Sequence, residues 1–154
     1  MEYKSETEQE TIKIGQKIAD KLKAGDIVLL EGNLGAGKTT LTKGILEFFK
    51  IFDAVSPTFT LMQIYKIKKL ENQEIKNIAH IDTYRLEDEQ ELIDIGVEDY
   101  LDDKNTISII EWPEKIKSLL TKKKVIYINM ETTGKNLRKI VVRETTEKEE
   151  EKNG

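Results

Sequence analysis

Cysteine is absent from this chain of 154 residues, so neither a disulfide nor a thiolate metal site can exist. No apolar run approaches the ~18 residues that a membrane-spanning helix needs. The opening residues Met1-Glu2-Tyr3-Lys4-Ser5-Glu6 hold no apolar signal core. A cytoplasmic protein without a membrane partner is the expectation. Arginine is scarce, with 3 against 22 lysines, and the net charge is −4. The 35% charged content therefore reads as surface solvation and not as a nucleic-acid footprint. No internal repeat and no linker divides the chain, and its length suits one domain with a real core. Residues 144–154 hold five Glu against two Lys, a net −3, and read as a solvated, disordered tail after a single domain at 1–143.

What is present is sharper. Gly32-Asn33-Leu34-Gly35-Ala36-Gly37-Lys38-Thr39 fits G-x-x-x-x-G-K-[ST], the phosphate-binding P-loop. Ile27-Val28-Leu29-Leu30 before it reads as a buried strand, and Thr40 to Lys50 after it as a helix. A strand feeding a glycine loop that opens a helix leaves backbone N–H groups converging on one spot, with the helix dipole adding positive potential. Glycines let that backbone wrap a phosphate without Cβ clashes. Asn33, Leu34, Gly35, Ala36, Gly37, Lys38, Thr39 and Thr40 are thus the candidate cradle. Lys38 can reach the outer phosphates, and the Thr39 hydroxyl can ligate Mg²⁺.

The rest of the chain alternates helix and strand, which indicates an α/β, three-layer P-loop fold with a mainly parallel sheet. Ser5-Glu6-Thr7-Glu8 resembles a capping box, and Ile12, Gly15, Ile18, Ala19 and Leu22 follow at helical spacing. Ser56-Pro57 excludes helix, and Thr58 to Tyr65 suggests a strand. Lys66 to Lys76 is polar and suits a hairpin or loop. A short buried strand, Asn77 to Ile81, ends at Asp82; a short helix, Glu87 to Ile95, stops near Gly96. Another strand, Thr106 to Ile110, ends at Glu111, and Glu114 to Leu120 suggests a helical turn. Val125 to Met130 and Leu137 to Arg143, around the loop Thr132 to Asn136, read as a terminal antiparallel hairpin.

In open α/β sheets, ligands sit outside the carboxyl ends of the strands. The P-loop, Asp82 and Glu111 all lie at such ends and would face one crevice. Asp82 suits Mg²⁺, which prefers hard oxygens and keeps waters that a carboxylate can orient. Glu111 could ligate the metal or orient an attacking water. Lys38, Asp82 and Glu111 are the candidate catalytic residues; Thr39, Asp82 and Glu111 are the candidate metal ligands. His80, the only histidine, faces either the core or the site.

The P-loop, Ser56-Pro57-Thr58-Phe59, His80-Ile81-Asp82-Thr83-Tyr84-Arg85-Leu86, Ile95-Gly96-Val97-Glu98-Asp99-Tyr100 and Glu111-Trp112-Pro113 occur in this order. Together they resemble the TsaE (YjeE) family, P-loop ATPases needed to make threonylcarbamoyladenosine in tRNA. The likeness runs from about Thr11 to Pro113, and Thr83 stands where that family's pattern leads one to expect an apolar residue. The resemblance implies ATP and Mg²⁺ as cofactors, TsaD and TsaB proteins as partners, and tRNA reached through that complex. It implies a γ-phosphate-sensing loop at Thr58, a Walker B role for Asp82, a second metal-side or catalytic role for Glu111, and Trp112 packed near the nucleotide. Tyr84 and Arg85 could contact phosphate or a partner, and Thr11 could border the base. Two other readings stay open: a small-molecule kinase, although no arginine-rich lid is visible, and a nucleotide switch without useful turnover. A GTPase is disfavoured, because no Asn-Lys-x-Asp motif occurs.

Overall fold

Four parallel strands at the centre of one seven-stranded sheet carry the architecture. The computed structural model describes residues 1–33, 35–57, 59–68 and 74–146. Its strands are β1 (Glu2–Ser5), β2 (Ile27–Gly32), β3 (Met62–Lys66), β4 (Asn77–Asp82), β5 (Thr106–Glu111), β6 (Lys124–Thr133) and β7 (Leu137–Thr146), in the order β1-β7-β6-β2-β5-β4-β3. β6, β2, β5 and β4 run parallel. The edges are antiparallel: β7 on β6 and β1 on β7 at one side, β3 on β4 at the other. The sheet is therefore mixed, with its parallel part confined to the middle.

Continuous apolar runs form the central strands because both faces are covered. Val28 and Leu30 of β2 pack under α1 (Glu8–Lys21) and α2 (Lys38–Phe48). Ile27 and Leu29 face α3 (Gln90–Asp94), α4 (Val97–Leu101) and a 3₁₀ segment, Pro113–Leu120. Three layers result. The two helices over the P-loop cross at glycines: a Cβ on Gly15 would lie 2.5 Å from the Leu41 carbonyl oxygen, and one on Gly44 would lie 2.2 Å from that of Ile12. This close approach fixes α2, and with it the loop at its start.

Several sequence expectations shift. The helix cap falls two residues later and is not a strict box: the Thr7 hydroxyl accepts the Glu10 N–H at 3.1 Å, while Glu10 accepts the N–H of Glu6, one residue before the cap, at 2.7 Å. Ser5 instead ends β1, a strand too short and too charged to be read locally, and it bonds Thr11 at 2.6 Å. Ile14, not Ile12, fills the buried face of α1. The strand expected from Thr58 starts only at Met62, since Leu61 has φ +68° and donates its N–H back to the Pro57 carbonyl. Gly96, at φ +86°, ends the α3 region and redirects the chain into α4, which had no periodic signal. The terminal hairpin is longer than expected; β7 continues through residues 144–146, the start of the expected tail. The remaining tail, 147–154, lies outside the described residues, as do residues 69–73 of the expected loop.

Candidate functional site

β2 delivers the chain into the P-loop at the carboxyl end of the sheet. Gly35 (φ +82°) has no atom within 4 Å of where a Cβ would stand, so its backbone is open to a ligand. Gly37 (φ +101°) caps α2 without any side-chain cap, which leaves the first-turn N–H groups for an anion. On the next strands, Asp82 and Glu111 are direct register partners, and Leu30 of β2 is the partner of Glu111. The two carboxylates therefore leave adjacent strands side by side, next to the P-loop. All open on one cavity of about 480 Å³, lined by Gly35, Gly37, Lys38, Thr39, Thr40, Asp82, Glu111 and Trp112 together with Ser56, Tyr84, Arg85 and Arg138.

Lys38 is largely buried; its Nζ donates to the Gly32 carbonyl and lies 3.4 Å from the centroid of the Trp112 ring. Burial pulls its pKa below the usual lysine value, against the opposing attraction of Glu111, Asp82 and Glu114. Asp82 Oδ1 accepts the Tyr84 N–H at 3.0 Å, which orients the carboxylate at the strand end. Glu111 Oε2 accepts from His80 Nε2 at 2.9 Å, so His80, itself buried, backs one of the two carboxylates. The Thr83 hydroxyl donates to the backbone carbonyls of Glu111 (3.1 Å) and Trp112 (2.5 Å). That explains a polar residue at a fully buried position: it ties the end of β4 to the end of β5. Trp112 itself holds a left-handed backbone (φ +60°, ψ +52°), which turns the indole onto Lys38 and 5.0 Å from the Tyr84 ring.

The structure gathers Gly35, Gly37, Lys38, Thr39, Thr40, Asp82, Glu111 and Trp112 around this cavity, as the sequence suggested. Others fall differently. Ala36 turns its side chain into the core and donates its N–H to the Asn33 carbonyl. Asn33 lines a neighbouring cavity beyond Trp112 instead. Thr11 is fully buried against Ser5 and is not among the residues that line the cavity. Leu34 and Thr58 lie outside the described residues. Arg138 and Ser56 were not assigned from sequence; Arg138 comes from the terminal hairpin, which carries no motif.

The chemistry of the donor set suits a Mg²⁺-nucleotide. Among the described residues no group of three or more His, Cys, Asp or Glu could hold a metal alone. Thr39, Asp82 and Glu111 offer hard oxygens only, and phosphate oxygens and water would supply the remaining ligands of a Mg²⁺ ion held there. The uncapped helix start and open glycine backbone fit that phosphate. Among the described residues no helix is long and apolar enough to cross a membrane.

Comparison with known proteins agrees with this geometry. Residues 5–140 match the family model described as threonylcarbamoyl adenosine biosynthesis protein TsaE, so the match includes the terminal hairpin. The tRNA threonylcarbamoyladenosine biosynthesis protein TsaE of Rickettsia prowazekii is 40% identical over 134 residues, 86% of this chain and 87% of that one. The protein of the same name from Bacillus subtilis is 36% identical over 126 residues, 81% of this chain and 74% of that one. The crystal structure of Bacillus subtilis YdiB superposes with a TM-score of 0.74 at 27% identity, covering 95% of this chain and 85% of that one. A P-loop opening beside the carboxylates of two parallel strands, on a chain matched along most of its length, places this protein in the TsaE family of threonylcarbamoyl adenosine biosynthesis proteins.

Proposed function

We propose that this chain binds Mg-ATP and hydrolyses it slowly, and that it does so in a complex with TsaD- and TsaB-type proteins that modify tRNA with threonylcarbamoyladenosine. The observation that carries the reading is the convergence of Lys38, Thr39, Asp82 and Glu111 on one cavity at the carboxyl end of the parallel strands. Thr39 and Asp82 would hold Mg²⁺, with Glu111 beside them, and the ion would supply charge neutralisation on the phosphate oxygens. The P-loop N–H groups and Lys38 bind and orient the phosphates. Glu111, fixed through one oxygen by His80, orients the attacking water with its carboxylate. Trp112 and Tyr84 shield the Lys38 side of the cavity. The part in tRNA modification rests on the family and its named relatives.

Calorimetry with Mg-ATP tests the site. Lys38→Ala removes a charged phosphate contact worth roughly 1.5–3 kcal/mol, so affinity is expected to fall about tenfold or more and hydrolysis to stop. Unchanged affinity together with unchanged turnover would falsify the phosphate site.

A further inference from the structure

Arg138 enters the cavity from the side opposite the carboxylates. It stands on β7, between Ser5 of β1 and Thr132 of β6. In the sheet, β6 and β7 lie on one side of β2, whereas Asp82 and Glu111 leave β4 and β5 on the other. Its side chain reaches across to the P-loop: a Cβ on Gly37 would meet Arg138 Nε at 3.0 Å and Cδ at 3.1 Å. The guanidinium stem thus lies against the N-cap of α2, the positive end of a helix dipole, where a cation gains nothing from the helix.

Nor does a neighbour satisfy it. Arg138 Nε is buried without a hydrogen-bond partner among the described residues. The other cations on the cavity are engaged. Lys38 is held by the Gly32 carbonyl and the Trp112 ring, and the Arg85 guanidinium lies 4.6 Å from the centroid of Phe59. A buried donor left unpaired costs stability, and a planar guanidinium fork matches phosphate oxygens. An anionic ligand neutralises the charge beside the helix start, and a small shift of the side chain toward it would pair the Nε.

We propose that Arg138 is a nucleotide-binding residue that grips the phosphate chain on the side away from the bond being cleaved. This rests on the Mg-ATP reading above. The metal-side groups Thr39, Asp82 and Glu111 mark where the terminal phosphate reacts, and Arg138 lies across the loop from Asp82 and Glu111. From there it touches groups that ATP and ADP share. Such a contact binds ground state and transition state alike, so it lowers KM and leaves kcat alone.

The test is calorimetry of the full chain with Mg-ADP and Mg-ATP, alongside steady-state kinetics, for the parental protein, Arg138→Gln and Arg138→Lys. Arg138→Gln is expected to weaken ADP and ATP by the same factor, roughly ten- to a hundredfold, with kcat within about twofold of the parental value. Arg138→Lys, which keeps the charge without the fork, should fall between. Thermal unfolding without nucleotide checks folding, and the lysine variant carries the comparison if the glutamine variant does not fold. Normal parental binding that both variants leave intact overturns the assignment alone. So does a fall in kcat with ADP affinity unchanged, which would make Arg138 a transition-state group. A parental chain that binds neither nucleotide overturns the Mg-ATP reading and this assignment together.

Discussion

At the scale of the residue, Lys38 is under opposed influences. Burial disfavours its charge, and Glu111, Asp82 and Glu114 favour it; burial wins, so its pKa in the fold lies below that of a free lysine. Between the two pKa values the folded chain binds fewer protons than the unfolded one. Stability therefore rises as pH climbs through that window. Phosphate acts in the opposite sense, because its negative charge holds the proton on Lys38. Nucleotide affinity is then expected to be full below the lowered pKa and to fall as pH rises above it. Trp112 offers the readout, as the only tryptophan and with Lys38 over its ring. A fluorescence titration repeated across alkaline pH checks this, and affinity that increases with pH would contradict it. The carboxylates should behave differently from the lysine. Asp82→Asn or Glu111→Gln is expected to lower kcat about a hundredfold or more while ADP affinity moves little. Parental turnover in both variants, with partners present, would remove their assigned roles. Lys38, Asp82 and Glu111 were legible in the sequence because phosphate contacts are local to one loop and because strand ends share one edge of a sheet. Arg138 was not legible: nothing local says that position 138 crosses to Gly37. The His80–Glu111 bond needed the register of β4 on β5, which periodicity does not specify.

At the scale of the element, α2 matters most, because its first turn is the proposed phosphate site. Its placement depends on one glycine in each helix, Gly15 of α1 and Gly44 of α2, lying against the other helix's backbone. Gly44→Ala would gain helix propensity on α2, but its methyl group would press on the Ile12 carbonyl at 2.2 Å. Rigid backbone on both sides cannot yield cheaply, so overpacking should win at about 1–3 kcal/mol. Thermal unfolding checks this; each kcal/mol lost lowers Tm by about 2–4 °C in a domain of this size. A Tm at or above the parental value would mean that the helices part without cost. The central strands were readable because burial on both faces makes them near-continuous apolar runs, as in Ile27 to Leu30 and, broken only by Ser108, Ile107 to Ile110. The edges were not. β1 holds four residues with Ser5 alone fully buried, and it exists only because β7, across the whole chain, offers it a ladder. Likewise the turn at Leu61 is set by the Pro57 carbonyl and by the Asp82 N–H bonded to Leu61, and neither shows in a hydrophobic pattern.

At the scale of the whole molecule, the proposed reading gives the cavity a reacting side and a holding side, and positive charge is divided unevenly between them. The chain has three arginines. Arg138 lies against the P-loop on the holding side, and Arg143 stands 4.5 Å from the Tyr127 ring. Arg85 follows Asp82 closely, yet its guanidinium lies on Phe59, itself widely exposed near the mouth. Lys38 feels the charge of Glu111 and Asp82, and it is tied to Gly32 and Trp112. On the proposed reading, such a site binds nucleotide but adds little new charge as the transition state develops. P-loop enzymes short of such charge in cis can gain about 10³–10⁵ in rate when a partner supplies it. The isolated chain is therefore expected to bind ATP and hydrolyse it slowly, and to speed up by at least about tenfold when TsaD- and TsaB-type proteins are added. Steady-state phosphate release with and without those proteins measures the effect. Arg85→Ala separates two routes. If Arg85 leaves Phe59 to join the phosphates, the variant should still bind the partners but lose the acceleration. If Arg85 serves docking, higher partner concentration should restore the full rate. Rapid turnover by the chain alone, unmoved by either protein, would overturn partner gating and point to a self-sufficient ATPase or a kinase.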